Sequence, residues 1–65
     1  MNDLKKYYDK TVKIVCNDGS YHGRIIDYIY PEDNEPEGHE SLIVETNDGQ
    51  IIEFIDDDVE SIIIL

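Results

Sequence analysis

The side chains able to do chemistry in this chain are mainly carboxylates, and one group is crowded: Asp56, Asp57 and Asp58 are consecutive and Glu60 follows closely. Clustered oxygen ligands suit a hard cation or a basic protein surface. A calcium loop spaces its ligands at alternate positions around an obligatory glycine, and that spacing is missing here. Asp56, Asp57, Asp58 and Glu60 therefore read as an acidic surface for a partner. Acid–base catalysis needs two carboxyls held in contrasting environments around one cleft, whereas these acids fall in loops where water keeps them ionised. His22 and His39 have no cysteine or second histidine at ligand spacing, and the single Cys16 reads as a small apolar residue. Neither a catalytic group, a metal nor a cofactor is expected. Tyr21, Tyr28 and Tyr30 offer rings on which bases stack, but without interleaved Lys or Arg such rings more often serve as barrel core or subunit contact.

Charge narrows the partners. The 65 residues carry a net charge of −11, and all five basic residues, Lys5, Lys6, Lys10, Lys13 and Arg24, precede Ile25. From Pro31 to Leu65 there are twelve acids and no base. Such a surface repels phosphate and has few groups to release counterions from nucleic acid, so RNA is disfavoured and a basic protein is the better partner. A weak RNA-binding mode through Lys5, Lys6, Lys10, Lys13 and Arg24 is the alternative. The opening residues lead into tyrosines rather than an apolar stretch, and no segment reaches membrane-spanning length. The reading is a cytoplasmic protein with no membrane association.

The elements that position these groups are announced by two copies of one turn, Asn17-Asp18-Gly19 and Asn47-Asp48-Gly49. Asp-Gly between alternating β-branched residues is a strong hairpin signal. Strands are expected at about 11–16, 20–30, 41–46, 50–55 and 59–65, with Val12, Ile14 and Cys16 on one face. Gly23 inside the second strand marks a sharp bend or a close backbone approach. Residues 31–40, with two prolines and a glycine, read as an exposed acidic loop. Leu4, Tyr7 and Tyr8, at i, i+3 and i+4, predict a short helix over about 3–10, capped by Asn2 or Asp3, whose apolar face lies on the sheet as a lid. The fold expected is mainly β: one domain, with a short helix before a strongly bent, five-stranded antiparallel small barrel.

Val12-Lys13-Ile14-Val15, then Asn17-Asp18-Gly19 and Gly23-Arg24-Ile25-Ile26, resemble the first motif of the Sm-like family of small β-barrels. The resemblance extends over nearly the whole chain and implies a barrel of the Src-homology-3 type. In that family an Arg-Gly pair just before the last strand serves the RNA site; here those positions read Asp56-Asp57. A carboxylate cannot stack on a base as a guanidinium does, so the resemblance implies the fold without the usual RNA site. It also implies assembly, with the fifth strand of one subunit pairing with the fourth of its neighbour. Ile62, Ile63, Ile64 and Leu65, uncharged and apolar on both faces, suit a subunit interface; the same residues suit closure of the chain's own barrel. The function expected is a non-catalytic protein-interaction module that self-associates through edge strands.

Overall fold

The computed structural model describes residues 3–34 and 38–65. A 3-10 turn, Leu4–Tyr7, precedes five strands, β1 (Thr11–Cys16), β2 (Gly19–Ile29), β3 (Ser41–Thr46), β4 (Ile51–Ile55) and β5 (Val59–Ile64); 3-10 turns also occupy Pro31–Asp33 and Asp56–Asp58. All neighbouring strands are antiparallel and form one sheet in the order β4-β3-β2-β1-β5. The two edges, β4 and β5, are not paired with each other, so the sheet is not closed into the small barrel expected. No helix among the described residues is long and apolar enough to cross a membrane.

Both Asn-Asp-Gly turns close hairpins. Cys16 pairs with Gly19 and Glu45 with Ile51, and Gly49 takes a φ of 89° that residues with a Cβ rarely adopt. The long β2 serves both neighbours: Gly19 to Arg24 lie against β1, and Gly23 to Ile29 against β3. A register shift between Ile25 and Asp27 leaves Ile26 as an extra residue, a bulge that bends the strand. Gly23 lies where the two pairings overlap, opposite both Val12 and Thr46. A Cβ there would run into the Glu45 carbonyl oxygen and lie 2.8 Å from Val44 Cγ1. Close backbone approach is thus what demands this glycine.

One face of the curved sheet carries the core. Val12, Ile14 and Cys16 of β1 meet Ile25, Leu42, Val44, Phe54 and Val59 from the other strands. Leu4 and Tyr7 close one end. The expected helix is only a single 3-10 turn, and Tyr8 is 53% exposed rather than packed with them. Three residues per turn bring Leu4 and Tyr7 onto one side and swing Tyr8 away. The turn cannot lengthen, because Asp9 adopts a φ of 65° and gives its N–H to the Ile25 carbonyl at 3.0 Å. Asp3 makes no side-chain cap, and Asn2 lies outside the described residues. Of the expected exposed loop, Glu35, Pro36 and Glu37 also lie outside them, while Glu40 is buried.

Candidate interaction site

The acidic cluster is divided by the 3-10 turn that carries it. Asp56 gives its backbone N–H to the Glu40 carbonyl at 3.0 Å, which turns its side chain toward His39. His39 Nδ1 lies 2.8 Å from Asp56 Oδ1, and Nε2 lies 3.6 Å from Asp57 Oδ2. These side chains offer donor atoms within 4.8 Å of one another. They are the described residues best placed to hold a metal, but the imidazole presents opposite nitrogens to the two acids, and one ion can take only one of them. The geometry suits an imidazole held between two carboxylates. Nothing in the sequence spacing of His39 announces this contact, since it is made across the sheet end.

Asp58 turns elsewhere. With Asp18 from the β1–β2 turn and Glu53 from β4 it lines a cleft of about 340 Å³, which also includes Cys16, Tyr21 and Phe54. Tyr21 and Phe54 pack as a tilted pair with centroids 5.1 Å apart, and the Tyr21 hydroxyl donates to Asp18 Oδ2 at 3.2 Å. That hydrogen bond, with the negative charge of Asp18, pushes the Tyr21 phenol above its ordinary pKa. Burial, then Asp18, Asp58 and Glu60, push the Cys16 thiol up. Cys16 accordingly stays protonated at neutral pH, the opposite of an activated nucleophile. Among the described residues, no basic side chain lines this cleft. Its carboxylates and rings can receive a cation.

The basic residues expected to contact RNA are partly engaged within the chain. Arg24 Nη2 lies 3.2 Å from Asp9 Oδ1. Lys5 Nζ lies 4.9 Å from the Tyr30 ring centroid and Lys6 Nζ 5.4 Å from that of Tyr7. Lys10 is exposed and Lys13 half-buried. The expected interface residues are placed at an edge. Ile62 packs on the core, whereas Ile63, Ile64 and Leu65 are 50%, 55% and 65% exposed. Their strand is paired on one side only, through contacts such as Ile14 with Ile62 and Val12 with Ile64. Ile51 and Ile55 are exposed on the opposite edge, β4.

Glu40 is the polar residue that sequence reasoning missed. It is buried, and its carboxylate accepts hydrogen bonds from the Asp3 and Leu4 N–H groups at 2.6 and 2.9 Å and from the Tyr28 hydroxyl at 2.8 Å. The first two satisfy the start of the N-terminal turn, the task the sequence assigned to Asn2 or Asp3. Burial, followed by this hydrogen bond and the Glu40 charge, pushes the Tyr28 phenol up to about 12. No family model, curated protein or solved structure matches the chain.

Proposed function

We propose that this chain is a non-catalytic protein-interaction module, an Sm-like small barrel in type, that takes a basic segment of a partner protein at the cleft of Asp18, Glu53 and Asp58. The cleft is the observation that carries the reading: three carboxylates beside Tyr21 and Phe54, with no basic side chain among the described residues of the wall. Carboxylates beside rings favour lysine or arginine through charge and ring quadrupole together. The strand order and the crowded Gly23 support the Sm-like part. Exposed Glu60, whose charge acts on Cys16 in the cleft wall, adds to the negative field of the cleft.

The test is titration of an oligo-arginine peptide into wild type and into the double variant Asp18→Asn, Asp58→Asn. The variant weakens binding about fivefold or more, since each exposed charge pair lost is worth roughly 0.5–1 kcal/mol. Unchanged affinity overturns the assignment. An oligouridylate run in parallel addresses the RNA alternative: salt-sensitive binding lost on changing Lys5, Lys6 and Lys10 to Glu would favour RNA over a basic protein.

Self-association is the second part of the proposal, supported by exposed isoleucines on both open edges. A β5 edge from one copy can extend the β4 edge of the next, which removes two unpaired edges at each contact. Ile63→Lys gives a smaller particle in light scattering while keeping the far-ultraviolet spectrum. A wild type that is monomeric at all concentrations overturns this part.

A further inference from the structure

We propose that the cleft formed by Tyr8, Tyr28 and Tyr30 with Asp27 is a second binding site, for a single arginine or lysine side chain, and that Lys5 fills part of it in the unbound protein. The inference rests on the reading of a basic protein partner and names the chemical group that the partner supplies here. The cleft has a volume of about 330 Å³, room for a long cationic side chain, and among the described residues Lys5 is its one basic lining residue.

The ring arrangement points to the ligand. Tyr28 and Tyr30 meet nearly at right angles, 83° with centroids 5.0 Å apart, and so form a corner. The corner is held at one side, because the Tyr28 hydroxyl is fixed to Glu40 and its N–H donates to Asp27 Oδ1 at 2.8 Å. Lys5 shows what the Tyr30 face accepts: an ammonium already lies 4.9 Å from its centroid, within cation–π range. Tyr8 and Tyr30 leave 53% and 42% of their surface in water, although their rings are among the largest apolar groups of the chain. A guanidinium is more weakly hydrated than an ammonium and stacks on flat rings, so an incoming arginine competes well with Lys5. The Asp27 carboxylate and the net charge of −11 favour a cation over a phosphate-bearing ligand.

The experiment is a titration of tetramethylammonium chloride, against sodium chloride at matched ionic strength, followed through the ring resonances of the five tyrosines. Shifts at Tyr8, Tyr28 and Tyr30, separate from those at Tyr21 in the acidic cleft and with buried Tyr7 unmoved, are expected. Lys5→Ala tightens the apparent affinity about two- to fivefold, the worth of one exposed cation–π contact. Tyr30→Leu abolishes the shifts at Tyr8 and Tyr28. Shifts absent from both wild type and Lys5→Ala overturn the site, and so does an oligouridylate that moves these rings where the cation does not. The Lys5→Ala arm decides the matter even if Tyr30→Leu fails to fold. Oligo-arginine binding that is lost in the Asp18→Asn, Asp58→Asn variant but intact in Tyr30→Leu keeps the interaction-module reading and rejects this cleft.

Discussion

Replacing Glu40 separates a structural carboxylate from the many solvated ones. Its oxygens accept from Asp3 N–H, Leu4 N–H and the Tyr28 hydroxyl, and Leu4 itself is fully buried. A hydrogen bond to a charged group contributes about 1.5–3 kcal/mol net. Glu40→Ala removes all three and strands the Leu4 N–H, a loss of about 4 kcal/mol or more. A chain of this length has only roughly 3–10 kcal/mol in total, so the alanine variant stands near or below the folding threshold. Glu40→Gln keeps one oxygen, which can still serve Leu4 and Tyr28, but turns an amide toward Asp3. Its expected loss is about 1.5–3 kcal/mol, a fall in Tm of roughly 6–24 °C at this size. The assay is urea unfolding followed by circular dichroism and tyrosine fluorescence. Amide exchange at Leu4 and Tyr7 reports whether the N-terminal turn opens before the sheet. A glutamine variant within about 0.5 kcal/mol of wild type, or an alanine variant that melts normally, refutes the reasoning, because surface substitutions stay in that range.

Gly23→Ala forces a Cβ into the Glu45 backbone, which is overpacking worth about 1–3 kcal/mol or more; its Tm, read by circular dichroism, falls by at least about 4 °C. Tyr28 has a folded-state pKa raised from 10.0 to about 12, so the stability it contributes is complete below the unfolded value and is lost as pH rises through about 12. Urea midpoints measured from pH 9 to 12 fall over that window in wild type, and Tyr28→Phe removes Tyr28's share of the fall. Cys16, buried and held protonated by burial and acidic neighbours, reacts with iodoacetamide at pH 7 at least about tenfold more slowly than after unfolding.

The hairpins were legible because their chemistry is local: Asn-Asp-Gly makes its turn whatever packs on it, and Val12, Ile14 and Cys16 alternate onto the buried face as written. Gly23 was legible as a demand for space, although its reason, the Glu45 carbonyl, lies on another strand. The N-terminal turn was misjudged because periodicity cannot see a competitor. The Ile25 carbonyl takes the Asp9 N–H and ends the turn before a helix can form. Glu40 was invisible for a related reason, since its partners Asp3 and Leu4 lie more than thirty residues earlier in the chain. Closure of the sheet depends on how β4 and β5 approach in space, which no strand's own pattern encodes. Of the acidic surface, the composition was readable but the division was not: Asp56 and Asp57 lie against His39, while Asp58 lines a cleft with Asp18 and Glu53.

Opposing forces on one surface make salt a discriminating variable. Each copy carries a net charge of −11, so the proposed edge pairing through Ile51, Ile55, Ile63 and Ile64 would work against mutual repulsion, whereas the proposed basic segment would be drawn in by the same field. The screening length is about 10 Å at 0.1 M salt and about 3 Å at 1 M. Raising sodium chloride therefore strengthens self-association, since repulsion is screened and apolar burial is not, and it weakens binding of a basic peptide. Light scattering and peptide titration across one salt series should give slopes of opposite sign. Slopes of the same sign would mean that the two contacts share their driving force, which isoleucine edges and a carboxylate cleft cannot do.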